Sequence, residues 1–237
     1  MGQYPFRRLQ AELASLIESL PADSRLPSEP ELAHRMGVSR ATLREAMRSF
    51  EGQGLIRRRQ GVGTFVIGKV PIFDTGLEVL ESIETLAQRI GLEVKMGALQ
   101  VEQAPSDKDS AAALSVPEGT VLTRIARVIY ADSRPIAYLV DTLPEDVLPS
   151  ADLEKGFTGS VLDLLLNRGN PKLSQSRTEI KAILATSEVA RALQIQRDDV
   201  LLHFAAQLYA ESGRVVDYSF SYFLPGYFRF HVVRRVG

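Results

Sequence analysis

The chain has no cysteine, no tryptophan and three histidines in 237 residues. Lack of cysteine excludes disulfides, thiolate chemistry and Cys-ligated zinc. The histidines, His34, His203 and His231, are scattered, a poor basis for a metal site, so neither metal nor cofactor is expected. No segment approaches the ~20 apolar residues of a membrane span. The opening "MGQYPFRRLQAELASLI" lacks the apolar run of a signal peptide, so the expectation is a cytoplasmic protein with no membrane partner. No Ser/His/Asp arrangement, paired-carboxylate motif or P-loop is visible, and a non-enzyme is expected. Internal repeats and low-complexity segments are also missing from the sequence pattern.

Nor does one sign of charge dominate. Lys and Arg number 28 against 29 Asp and Glu, a net charge of −1 that predicts no general affinity for nucleic acid. The distribution is uneven, however. Residues 1–70 hold eleven basic against seven acidic side chains, and the remainder seventeen against twenty-two. Between Arg35 and Arg59 seven arginines face only Glu45 and Glu51. A local positive field therefore survives the neutral total.

The length suits two compact domains. Phe6, Leu9, Leu13, Leu16 and Ile17 recur at helical spacing, and Pro21 ends that helix. Ser28 is an N-cap candidate with Glu31 three residues on, as in a capping box. Gly37 ends the second helix, and Ser39 caps a third over Arg40 to Gln53, closed by Gly54. In "MGVSR" Gly37 suits a left-handed corner, Val38 a plug between helices and Ser39 a cap, although an αα-hairpin has the same local needs. "LIRRRQGVGTFV" then reads as two short strands around a Gln60-Gly61-Val62-Gly63 turn. Three helices and a hairpin make a winged helix-turn-helix over residues 1–68.

Residues 69–76, "KVPIFDTG", read as a linker, and a helix is expected from Leu77 to Ile90. Beyond it lie strand candidates at Val94–Val101, Val121–Tyr130, Ile136–Leu143, Arg177–Leu184, Val200–Tyr209 and Val215–Phe223. Helices are expected at Lys108–Leu114, Val161–Asn167 and Ser187–Leu193. The whole is α+β, with a second, mixed domain over residues 77–237.

A helix on the floor of a major groove reads bases with side chains of its N-terminal half. Arg40 and Arg44 lie one turn apart there, with Ser39 and Thr42 beside the helix start, and an arginine fork fits guanine O6 and N7. Arg57, Arg58 and Arg59 precede the hairpin tip, so a wing arginine such as Arg58 is a candidate for phosphate. Three adjacent strand arginines cannot all face one way.

Along its full length the stretch "LPSEPELAHRMGVSRATLREAMRSFEGQGLIRRRQGVGTFV" resembles the DNA-binding domain of GntR-family bacterial transcriptional regulators. The resemblance implies that Ser39, Arg40, Thr42 and Arg44 contact double-stranded operator DNA and that Gln60 and Gly61 sit at the wing tip. Pro30 stands where many members place a DNA-touching Arg. The stretches "RIARVIYADSRPIAYLVDTLP", "TGSVLDLLL" and "VVDYSFSYFLPGYFRFHVVRR" resemble the effector domain of the HutC subfamily, called UTRA, whose fold is similar to chorismate lyase. By this resemblance Arg127 and Ser160 match effector-binding positions and Asp217 stands where an acid is expected. Ile129 replaces a second Arg, Leu139 a Glu and Phe223 a Tyr, and Leu224-Pro225-Gly226 stands for a common Arg-Gly-Asp. These departures count against a phosphosugar. Arg127 opposite a helix N-terminus still suits one carboxylate or phosphate, so an anionic small-molecule effector is expected. Plainer roles stay open: Arg127 as a cross-sheet ion pair, Ser160 as an N-cap. The expected molecule is a homodimeric, ligand-responsive regulator, most naturally a repressor. A DNA-binding protein whose second domain only dimerises, or a DNA-tethered enzyme of lyase-like fold, are the alternatives.

Overall fold

The computed structural model describes residues 3–52, 54–59, 61–67, 72–153, 157 and 159–236. The first unit contains α1 (Gln3–Ser19), α2 (Glu29–Arg35), α3 (Arg40–Gly52) and an antiparallel hairpin of β1 (Ile56–Arg59) and β2 (Gly63–Val66). Its core is drawn from every element: Leu9 and Leu13 of α1, Leu32 of α2, Leu43 and Met47 of α3, Ile56 and Val66 of the hairpin. Ser28 caps α2 by accepting from the Glu31 amide at 3.4 Å. Pro30 falls in the first turn, where its missing N–H leaves no bond unmade. Gly37 takes φ +64°, the left-handed corner expected between α2 and α3.

The second unit comprises β3 (Phe73–Gly76), α4 (Ile83–Arg89), β4 (Val94–Pro105), α5 (Lys108–Leu114), β5 (Val121–Ala131) and β6 (Arg134–Pro144). It continues with α6 (Ser150–Leu153), α7 (Val161–Arg168), β7 (Leu173–Leu184), α8 (Ser187–Leu193), β8 (Val200–Ala210), β9 (Val215–Phe223) and β10 (Phe228–His231). Six strands form one antiparallel sheet in the order β4-β5-β6-β9-β8-β7.

That order is symmetric about the β6–β9 pair. Each half runs strand, helix, strand, strand, and in each the helix begins at a side-chain cap, Asp107 or Thr186, and ends on a left-handed residue, Ser115 at φ 54° or Gln194 at φ 55°. A structural repeat is therefore present where none is visible in the residues. It is carried by cap chemistry and apolar alternation, which many residues satisfy.

Two expectations are corrected. Residues 73–76, read as linker, form a strand paired in parallel with β10, and Phe73 is stacked on Phe228 at 4.8 Å. Helix α4 starts at Ile83, after the Ser82 cap, and not at Leu77. Helix α8 spans Ser187–Leu193 as expected, with Thr186 as its cap.

Along β5 the side chains of Ile125, Arg127 and Ile129 share one face, with Ala126 and Val128 on the other. Ile125 belongs to an apolar cluster with Leu165 of α7, and Ile129 to a separate one with Leu86 of α4 and Phe223 of β9. Arg127 falls between the two. The core under α4 and α7 is thus interrupted by a polar gap.

Candidate functional site

At the first unit's outer end, Ser39 accepts from the Thr42 amide at 3.1 Å and its hydroxyl lies 2.8 Å from that of Thr42. Both hydroxyls thus fix the start of α3 while remaining exposed. Arg44 is held by Glu29 of α2, Nε to Oε2 2.6 Å. Arg40 is exposed and no ion-pair partner is found for it among the described residues. Arg48 pairs with Glu45 at 3.3 Å.

The hairpin corrects one expectation. Arg58 shares the face of buried Ile56, its amide donates to Glu51 at 3.1 Å, and its guanidinium lies 3.5 Å from Glu29. It serves the joint between hairpin and helices and is poorly placed for phosphate. Arg59, on the opposite face, is exposed and stands 5.3 Å from the Phe65 ring centroid. Gly61 is exposed at the turn with φ +74°, and Gln60 lies outside the described residues.

In the second unit a cavity of about 560 Å³ opens at the polar gap. That size suits a metabolite. Strand register supplies its floor in rows: Arg127, Leu139, Ser221 and Phe204 in one, Asp141, Ser219 and Ala206 in the next. The segment Thr75–Leu80 and the start of α4 form another wall.

The structure brings Arg127, Ser160 and Asp217 to this one cavity, with further groups that the sequence reading omitted. Arg127 is 4% exposed; its Nη1 donates to Asp141 and its Nε to the Gly159 carbonyl just ahead of α7. Its guanidinium carbon stands 5.8 Å from the Phe157 ring centroid. Ser160 caps α7 by accepting from the Asp163 amide at 2.9 Å. Asp163 in turn accepts from Ser82, the cap of α4, at 2.6 Å. Two helix starts are thereby locked together at the cavity edge.

Asp217 accepts from the Thr142 amide at 3.2 Å and is hydrogen-bonded to Asp141. Burial first, and the Asp141 carboxylate second, hold its carboxyl well above the ordinary range. Glu84, in the first turn of α4, has its Oε1 shut off from solvent with no hydrogen-bond partner. Burial raises its carboxyl too.

Asp141 and Glu84 carried no sequence signal. Asp141 reaches Arg127 only through the β5–β6 register, and Glu84 arrives from a helix outside the sheet.

Residues 6–66 match the family described as bacterial regulatory proteins, gntR family, and residues 89–229 match the UTRA domain. The histidine utilization repressor of Klebsiella aerogenes is 31% identical over 181 residues, spanning 75% of this chain and 72% of that protein. The HTH-type transcriptional repressor NagR of Bacillus subtilis is 26% identical over 216 residues, 90% and 88% of the two chains. Among solved structures, PhnF from Mycobacterium smegmatis superposes with a TM-score of 0.65 at 21% identity, covering 97% of this chain and all (100%) of that one. At that identity the likeness concerns the fold.

Proposed function

The chain belongs to the GntR family of bacterial regulatory proteins and carries a UTRA domain, and from that membership we propose that it is a transcriptional repressor whose grip on operator DNA is set by a small molecule in the cavity beside Arg127. One observation carries the reading. A chain with an exposed arginine-bearing helix in one unit has, in its other unit, a metabolite-sized cavity lined by buried polar groups where an apolar core would otherwise close.

On the DNA side Arg40 and Arg44 are the base readers, Ser39 and Thr42 set the helix start against the groove, and the tip at Gly61 with Arg59 lies along the backbone. One recognition helix per chain suits a homodimer on a two-fold operator. Effector binding works by favouring one arrangement of the two units over another, which is thermodynamically bound to change DNA affinity.

The test is genetic and biochemical together. Footprinting the chain on DNA flanking its own gene should protect two related half-sites, and small-molecule extracts of the source cells should release it. Protection of one asymmetric half-site by monomer would refute the dimer. Operator affinity indifferent to every extract would refute effector control.

A further inference from the structure

We infer that the ligand of this cavity is a monocarboxylic acid on an apolar, ring-bearing body, and that the cavity selects against phosphate esters and sugar acids. The inference rests on the cavity being the effector site and narrows the chemistry that site takes. Arg127 invites an anion, either a carboxylate or a phosphate. The charges and the strand rows around it separate the two.

Donors for one small anion converge at the start of α7. Arg127 and Ser160 are buried yet line the cavity. Arg127 gives Nη1 to Asp141 and Nε to the Gly159 carbonyl, and its Nη2 has no hydrogen-bond partner among the described residues. Because Gly159 directly precedes Ser160, the guanidinium is set against the helix start. There the Ser160 hydroxyl accepts from the Asp163 amide and keeps its own proton to donate. The Val161 and Leu162 amides open α7 and have no acceptor within the helix.

Charge decides which anion these donors suit. Among the described lining residues Arg127 is the only cation, and its charge is matched by Asp141. The other acids add no positive counter-charge. Glu81 is held by Arg89 at 2.9 Å, and exposed Glu78 accepts from the Val233 amide. Burial pushes Glu84 and Asp217 towards their neutral forms. The site therefore offers several donors and no net positive charge. A carboxylate brings one charge on two oxygens, which a guanidinium N–H, a hydroxyl and helix amides satisfy. A phosphate ester brings about −1.5 to −2 at pH 7, and the excess falls beside the Asp141 carboxylate.

The strand rows define the body of the ligand. Arg127 is opposite Leu139, Leu139 opposite Ser221, and Ser221 opposite Phe204. From β5 to β8 is three strand spacings, about 14 Å. With side chains reaching in from both ends, the space between takes a ring on a short chain. Phe204 stands among packed rings, 4.7 Å from Phe230 and 5.1 Å from Phe223, where a further ring stacks offset or edge-on. A polyol laid along this row would set its hydroxyls against Leu139 and the rings, with Ser221 alone to pair with.

The experiment uses the full chain at neutral pH. Probes vary the head group on one body, 4-phenylbutanoate against its amide and 3-phenylpropyl phosphate, and then the body under one head group, gluconate. Calorimetric titration should rank 4-phenylbutanoate first, with the amide, the phosphate ester and gluconate each weaker by about tenfold or more, as loss of a charge-assisted bond or a mismatched charge does. Asp141→Asn keeps an acceptor for Arg127 and removes the opposing charge, so it should narrow the gap between phosphate and carboxylate by about tenfold, while exposed Glu118→Gln leaves it unchanged. A thermal transition establishes that Asp141→Asn is folded, and the ranking on the native chain stands whether it is or not. A phosphate ester, amide or gluconate as tight as the acid, no binding of the acid up to millimolar concentration, or a gap unmoved in folded Asp141→Asn would each overturn the inference. Ala206→Phe, which fills the cavity, is read separately on operator DNA. A change in operator affinity there alongside failure of the acid leaves effector control standing with the wrong ligand class. Binding of the acid without any effect of ligand or of Ala206→Phe on operator affinity sinks effector control instead.

Discussion

The arginines of α3 differ less in position than in what restrains them. Arg44 is braced by Glu29, which pre-organises it, whereas Arg40 has no ion-pair partner among the described residues. Replacing Arg40 with Ala should cost about 1–3 kcal/mol and blur discrimination at one base pair, while Arg59→Ala should weaken all sequences alike and reduce the salt slope by about one. Titrating an operator and its single-base variants at several salt concentrations separates the two, and equal sequence-blind losses would mean that α3 is not the reading helix. Asp217 offers a prediction of another kind. Its folded carboxyl is raised, so the native state holds this proton more tightly than the unfolded chain does. The associated stability is complete below the ordinary carboxylate range and is lost as pH rises through the folded value. Asp217→Asn places a donor towards Asp141 without the titration, and its thermal stability should fall less between pH 4 and pH 8 than that of the native chain. Parallel pH profiles for the two proteins would show that the fold does not raise the Asp217 carboxyl.

Elements were legible in the sequence where their signals are local. Helices α5 and α8 fall where expected because Asp107 and Thr186 sit at the head of short apolar repeats, and β9 falls at Val215–Phe223 as read. The misreadings share a cause. Strand β3 exists because β10, more than 150 residues away, lies alongside it, and no window around "IFDTG" contains that partner. The start of α4 slipped because Leu77, Val79 and Leu80 continue an apolar pattern, but their place is the cavity wall. The site was half legible for the same reason. Arg127 stands out between Ile125 and Ile129 as a lone charge in an inward series, whereas Asp141 becomes its partner only once the strand register is known. Ser82 tests how far the element scale governs the site. It caps α4, accepting from the Thr85 amide at 2.9 Å, and ties α4 to α7 through Asp163. Ser82→Ala should cost about 0.5–2 kcal/mol in chemical unfolding and loosen ligand binding as well. Unchanged stability would show that the two helix starts are held by packing alone.

At the scale of the molecule the question is how a cavity under α4 is felt by α3. The two units touch where the hairpin base meets the far end of the sheet: Arg134 of β6 pairs with Asp23, and Ile67 packs on the apolar cluster that contains Ile129, Phe223 and Tyr227. That cluster also contributes Phe223 to the cavity, so the wall of the ligand space and the seat of the DNA-binding unit are built from one set of side chains. Two glycines allow the seat to be tested with an internal control. Gly37 and Gly54 both adopt left-handed backbone, φ +64° and +68°, so alanine at either carries a similar strain, about 1 kcal/mol. They differ in surroundings. A Cβ at Gly37 meets nothing within 4 Å, whereas at Gly54 it would lie 2.5 Å from the Pro225 carbonyl oxygen across the contact. Gly37→Ala should therefore lower stability and leave the shape of the free molecule unchanged in small-angle scattering. Gly54→Ala should in addition expand it and alter operator affinity several-fold, within the range of about 5- to 150-fold typical of coupling between sites. If both variants scatter alike, this contact does not hold the units together in solution.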